Sequence, residues 1–236
     1  MYGRYHKWKR KLYYYCLNPL AGAITHVRTT KPIAALTFDD GPHPVYTAAF
    51  LELLARYEIH GTFFTVGEAA QMYPDLIVQM QKAGHVIGSH SWDHSMFTNL
   101  SWRERRDQLR RWENVVGVQN IRLFRLPWGR QNVASHLVVK LMGYEVIAWN
   151  VAVQDWLEAT PEQIAERLIS RIKPGSIILL HDAIYHSLME KPQYNRCFAI
   201  EGLKLALPHL CERFQFVTVP ELLQYGRPVT KVWTKG

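Results

Sequence analysis

Apolar and polar positions change rhythm along this chain at regular intervals. From Lys31 onward, short runs rich in β-branched and aromatic residues alternate with longer stretches in which apolar residues recur every three or four positions. The short runs predict strands at Ile33–Phe38, Thr62–Val66, His85–Gly88, Ile121–Leu126, Tyr144–Trp149, Ser176–His181 and Phe216–Val219. The longer stretches predict helices near 45–57, 74–83, 101–116, 132–142, 161–172 and 197–213. Ser101 and Glu104 have the spacing of a capping box, Thr160 before Pro161 reads as an N-cap followed by a first-turn proline, and Pro74 suits a first turn. Pro208 predicts a kink or break in the last helix, because proline has no N–H to continue the ladder.

Strands that alternate with helices imply a mainly parallel α/β sheet, either closed into a barrel or open. The strands are apolar almost throughout, as expected when helices cover one face and a packed interior the other. A chain of 236 residues suits one such domain.

Charge adds a second region. Of a formal net charge of +8, much sits in Arg4, Lys7, Lys9, Arg10 and Lys11, interleaved with Tyr2, Tyr5, Trp8, Tyr13, Tyr14 and Tyr15. Residues 1–30 are therefore read as a basic aromatic arm and 31–236 as the α/β domain. Asn18 and Pro19 interrupt the apolar run at Leu12–Ile24, which makes it a poor secretory signal and too short and polar to span a bilayer. A cytoplasmic or membrane-associated location is the expectation, with the arm touching an anionic surface or packing on the domain. Arg103, Arg105, Arg106, Arg110 and Arg111 read as a solvated helix face. No nucleic-acid motif accompanies the basic residues, so no nucleic-acid partner is expected. Cys197 and Cys211 lie roughly 21 Å apart on one continuous helix, too far for a disulfide, and Cys16 completes no metal-binding spacing.

The candidate chemistry falls at strand ends. Asp39 and Asp40 follow the first strand, His90 and His94 the third, Arg125 ends the fourth, Asp155 follows the fifth and His181 ends the sixth. In parallel α/β folds the carboxyl ends of the strands share one rim, which is where active sites sit. A turn at Gly41 and Pro42 can re-aim the paired carboxylates so that one ligates a metal and the other acts as a base; the plain alternative is an Asp-rich turn. His90 and His94, four apart, share a face if the segment is helical, and with an aspartate they suit a catalytic divalent cation. Arg125, beside the rigid Pro127 turn and Trp128, can orient a carboxylate, and Trp128 can stack on a sugar ring. Asp155 can orient and charge-stabilise His181.

TFDDGP at 37–42, HSWDH at 90–94, RLPWG at 125–129, AVQDW at 152–156 and LLH at 179–181 together resemble, in order, the five motifs of the carbohydrate esterase family 4 polysaccharide deacetylases, the NodB-homology group. The resemblance spans roughly residues 31–225 and implies a distorted (β/α) barrel of about seven strands. It implies Asp39 as general base, Arg125 as its tether, and Asp40, His90 and His94 as ligands to one divalent metal, with zinc expected and cobalt, manganese or nickel as alternatives. It implies His181 as general acid and Asp155 as its partner. Pro127, Trp128, Trp156 and Leu179 are the implied substrate-binding residues, the last two walling an acetyl pocket and the Trp128 N–H meeting the oxyanion. The implied substrate is an acetylated glycan. O-acetyl-xylan esterase, deformylation or deacetylation of a lipid-linked sugar, and non-catalytic glycan binding are the competing readings. One position departs from the pattern: Ala152 stands where the fourth motif usually opens on aspartate, while the matched Asp155 is retained.

Overall fold

The computed structural model describes residues 22–117, 120–185 and 194–232. Its strands are β1 (Ala23–Arg28), β2 (Ile33–Asp39), β3 (Thr62–Thr65), β4 (Val86–Ser89), β5 (Leu123–Phe124), β6 (Glu145–Val146), β7 (Val151–Ala152), β8 (Ile177–His181), β9 (Gln215–Phe216) and β10 (Arg227–Lys231). The longer helices are α1 (Tyr46–Arg56), α2 (Gly67–Met72), α3 (Pro74–Lys82), α4 (Trp102–Val116), α5 (Val133–Leu141), α6 (Pro161–Arg171) and α7 (Cys197–Cys211). Seven parallel strands run in the order β6-β5-β4-β3-β2-β8-β7, and β9 pairs with the start of β2. Antiparallel β1 and β10 form a separate ribbon. Its first strand bridges to Ile147 beyond β6 and to Ser176 ahead of β8, so the ribbon spans the distorted side of the barrel.

Strand alternation separates two cores. Along β2, Ala34, Leu36 and Phe38 join the cluster beneath the outer helices, whereas Ile33 and Ala35 join the interior cluster with Ile24, Phe64, Ile147 and Ile177. A period of two carries the interior face onward to Thr37 and Asp39. In β8 the same rule sends Ile178 and Leu180 outward and Ile177, Leu179 and His181 inward. The interior is thus apolar at the amino ends of the strands and polar at their carboxyl ends. Register places Asp39 directly beside His181 on the neighbouring strand.

Several expectations need correction. Helix α7 continues through Pro208 without a break, its buried Leu203, Ala206, Leu207 and Leu210 holding it to the domain. Strand Phe216–Val219 stops at Phe216, and Val219–Leu222 is a short helix opening on Pro220. Arg105 is not solvated: it is buried, and donates to the carbonyls of Phe97 and Thr98. Residues 23–28, assigned by charge to the arm, form β1 with Ala23, Ile24 and Val27 buried. The arm's basic and aromatic residues, Cys16 and the expected membrane contact fall in 1–21, outside the described residues. Among the described residues no helix is long and apolar enough to cross a membrane.

Candidate active site

The strand ends converge on a cleft of about 350 Å³ lined by Asp39, Asp40, His90, His94, Trp128, Trp149, Trp156, Leu179 and His181, with Met96 and Arg130 also on its wall. A larger cavity of about 670 Å³ lies at the opposite end, against Lys31, Ile33, Tyr57, Arg213 and Tyr225, and gathers none of the predicted site residues. Chemistry, rather than size, selects the smaller cleft.

The backbone that aims these residues is unusual. Asp40, Ser91, His94, Trp128 and Gln154 all have positive φ, between 58° and 78°. Such conformations cost on the order of 1–3 kcal/mol each where the side chain has a Cβ, and they collect at functional sites. At Asp40 the left-handed turn breaks strand alternation, so that both carboxylates reach the cleft. Gly41, which follows and is joined to Pro42 by a cis bond, has no room for a side chain: a Cβ there would lie 2.0 Å from Asp182 Oδ2. The His90–His94 segment is a turn, so the helical condition for a shared face does not hold, yet the two rings still lie 5.0 Å apart. It is held by Gln108, whose Oε1 accepts from the Trp92 and Asp93 amides, and by Ser91 Oγ, which accepts from the His94 amide.

Asp40 Oδ1 lies 3.4 Å from His90 Nε2 and 3.3 Å from His94 Nε2. It is buried without a hydrogen-bond partner. The Nδ1 of His90 faces the Arg125 carbonyl at 2.8 Å; a carbonyl only accepts, so Nδ1 carries the proton and Nε2 keeps its lone pair. Burial, with His94 and Arg125 nearby, pushes the His90 pKa well below the ordinary imidazole range, so the ring is neutral. Four buried carboxylates (Asp39, Asp40, Asp155 and Asp182) gather here with two buried guanidiniums, Arg125 and Arg196, and the His181 imidazolium. The donor set and the orphaned oxygen both fit a divalent cation. Asp40, His90 and His94 form the described three-residue cluster able to hold one.

On one flank, Arg125 donates to Asp39 Oδ1 at 2.7 Å, to Thr37 Oγ1 at 2.8 Å and to the carbonyls of Ile147 and Ala148. Burial nevertheless pushes the Asp39 pKa up to about 6, with Arg125 and His181 pulling against it and Asp40 reinforcing it. On the other flank, Asp155 accepts from the His181 backbone N–H at 2.8 Å and pairs with His181 Nδ1 at 3.0 Å. Burial opposes the imidazolium, but Asp155, then Asp40 and Asp39, outweigh it and push His181 up to about 9. The Trp156 ring stands edge-on to His181 at 5.3 Å, and Trp128 Nε1 donates to the His94 carbonyl at 3.1 Å. Pro127 opens the 3-10 turn that presents Trp128, and Pro127 itself is buried behind the wall. Ala152 lies in β7 and its carbonyl accepts from Arg171, leaving Asp155 in place three residues on.

Sequence reading missed three participants. Asp182 accepts from the Gly41 amide and from Thr47 Oγ1, bracing the turn that carries Asp40. Trp149 packs against Gly129, where a Cβ would meet its ring at 2.9 Å. Arg196 is fully buried against Asp155. Asp182 beside His181 was the one visible signal; the other two lay outside every motif.

Comparison with known proteins shows the family. Residues 26–147 match the family model described as polysaccharide deacetylase. The chain is 33% identical over 214 residues to a peptidoglycan-N-acetylglucosamine deacetylase of Bacillus cereus, covering 89% of this chain and 96% of that one. The chain belongs to the polysaccharide deacetylase family. It is also similar to the chitooligosaccharide deacetylase of Azorhizobium caulinodans, at 36% identity over 68% of this chain and 79% of that one. Among solved structures, a peptidoglycan N-acetylglucosamine deacetylase superposes with a TM-score of 0.77 at 25% identity, covering 87% of this chain and 94% of that one. The protein is thus a carbohydrate esterase family 4 hydrolase with the NodB fold, and its buried Asp-His-His cluster suits a divalent metal.

Proposed function

We propose that this protein hydrolyses the N-acetyl group of an amino sugar in a peptidoglycan-like glycan, using a divalent cation, with zinc the favoured ion. The carrying observation is that one cleft joins the Asp40, His90 and His94 cluster to two flanking aspartates whose pKa values are pushed in opposite directions. The names of the B. cereus relative and of the solved neighbour favour peptidoglycan over shorter chito-oligosaccharides.

A cation held by Asp40, His90 and His94 would supply Lewis-acid polarisation of the acetyl carbonyl and of water. Asp39, steadied by Arg125, takes the proton from the attacking water. The Trp128 backbone N–H, carried on a wall of the cleft, meets the developing oxyanion. His181 gives its proton to the departing sugar nitrogen, because an amine leaves poorly without one. Asp155 holds His181 in the donating orientation. Trp156 and Leu179 wall the acetyl methyl.

Purified protein, stripped and then reloaded with Zn²⁺, tests the reading by acetate release from peptidoglycan, chito-oligosaccharides and acetyl-xylan. Metal-dependent release from the amide substrates is expected. Release from acetyl-xylan alone would make the protein an O-esterase, and release from none would overturn the assignment. We further place weak contact with an anionic surface in residues 1–21, at about 1 kcal/mol or less per basic residue. Removing them should lower binding to anionic vesicles while sparing hydrolysis of small soluble substrates; unchanged vesicle binding would overturn that.

A further inference from the structure

The site's second buried arginine has no role in the steps above. Arg196 stands just ahead of α7, its side chain wholly enclosed. Its Nη1 donates to the Asp155 carbonyl at 2.9 Å and lies 3.5 Å from Asp155 Oδ2, while Nε reaches the Tyr194 carbonyl at 3.4 Å. Its Nη2 is buried with no hydrogen-bond partner. A guanidinium left partly unsatisfied is an expensive way to fill space, and an apolar side chain of similar volume would pack there more cheaply. The cost is explained if the charge is needed. Asp155 uses both carboxylate oxygens: Oδ1 faces the His181 ring, and Oδ2 takes the His181 backbone N–H and faces Arg196. Without Arg196, the Asp155 backbone loses a donor and its carboxylate loses the cation on the side away from the ring.

We propose that Arg196 is a positioning residue for the acid half of the reaction: it fixes Asp155 by backbone and carboxylate together, so that Asp155 can fix His181. Asp40, Tyr46 and Asp182 also lie within the field of Arg196, so its charge offsets the local excess of carboxylate as well. The effect travels through Asp155 and touches neither substrate nor metal.

This inference rests on His181 acting as the acid, and the experiment separates the two. The rates of Arg196→Met, Asp155→Asn, the double variant and His181→Ala are measured on an N-acetylated chito-oligosaccharide and on an activated acetate ester, with metal content and melting curves recorded alongside. Arg196→Met keeps the apolar stem and removes the donors. It should slow amide hydrolysis by roughly tenfold to a hundredfold, the range typical of outer-shell partners. Ester hydrolysis should fall far less, and bound metal should be unchanged. Adding Arg196→Met to Asp155→Asn should cost little more, because both act through one element. Arg196→Lys should recover part of the amide rate, and if the Met variant does not fold, the Lys variant should itself show a smaller, amide-selective defect. Equal losses on amide and ester, or fully additive losses in the double variant, would overturn the role of Arg196. If His181→Ala and Asp155→Asn were themselves unselective, the acid assignment would fall first, and the inference with it.

Discussion

The two flanks of the cleft are built from the same parts and tuned in opposite directions. Each has a buried aspartate facing a buried arginine, Asp39 with Arg125 and Asp155 with Arg196. Burial pushes both carboxyls upward. At Asp39 burial wins over Arg125, helped by Asp40, and the carboxyl titrates at about 6. At Asp155 burial loses to His181, whose charge, ring and backbone N–H all favour the ionised form, and the pKa falls below the ordinary value. A carboxyl that titrates near neutrality can accept a proton during the reaction; one held ionised can only orient and stabilise its neighbour. The difference lies less in the arginines than in hydrogen bonding to His181: Asp155 accepts from both its ring and its backbone N–H, whereas Asp39 feels His181 only through its charge and is opposed by the neighbouring Asp40.

The largest effect comes from removing what lies between the flanks. Asp40→Ala or His90→Ala should abolish both stoichiometric metal and acetate release, while leaving the Asp155–His181 contact intact. Metal analysis of the purified variants checks this, and full metal occupancy in either would remove that residue from the ligand set. Asp39→Asn probes one flank alone. It keeps Asp40, so metal should remain, but it has no proton acceptor, and kcat should fall by roughly 10²–10⁴-fold. Loss of metal in Asp39→Asn would make Asp39 a ligand and leave the base unassigned.

How far these flanks could be read from sequence depends on how local they are. Asp39, Asp40, His90, His94, Arg125, Asp155 and His181 were legible because each sits at the end of an apolar run, and parallel topology gathers such ends on one rim. The contacts that tune them were not. Asp155 and Arg196 are 41 residues apart, and Asp182 meets the Gly41 amide across 141. Nothing in the local composition marks those pairs. The His90–His94 turn was not legible because its positive φ values fall on Ser91 and His94, with no glycine to announce them. Strands β1 and β10 escaped because β10 is mostly exposed and carries no apolar alternation. Strand β7, two residues long, is too short to show a period.

On the second flank, His181→Ala should leave metal in place and slow amide hydrolysis by a factor in the same range as Asp39→Asn. The two variants should separate on substrate rather than on size of effect. An activated acetate ester needs little protonation of its leaving group, so His181→Ala should retain much more ester than amide activity, whereas Asp39→Asn should impair both. Equal impairment of ester and amide in His181→Ala would remove the acid from that flank.

The smallest effect is a shift in pH dependence, and it tests whether Asp155 sets the acid's pKa. The base must be unprotonated, so kcat/KM should rise with pH through the Asp39 value of about 6, or lower once a cation sits beside it. The acid must be protonated, so activity should fall as pH rises through about 9. Those limbs belong to a coupled set of groups, so the informative quantity is which limb a substitution moves. In Asp155→Asn the imidazolium loses its strongest supporting charge while the opposing effect of burial remains. The alkaline limb should therefore move to lower pH, and the acid limb should stay near its wild-type position. Stability should follow the same sign. His181 has a folded pKa raised above its unfolded value of 6.5, so its contribution is complete below that pH and is lost as pH climbs toward about 9. Melting temperature between pH 6 and 10 should consequently fall more steeply in the wild type than in Asp155→Asn. An alkaline limb that did not move in Asp155→Asn would mean that Asp155 merely aims His181, and that its charge leaves the acid's proton affinity unchanged.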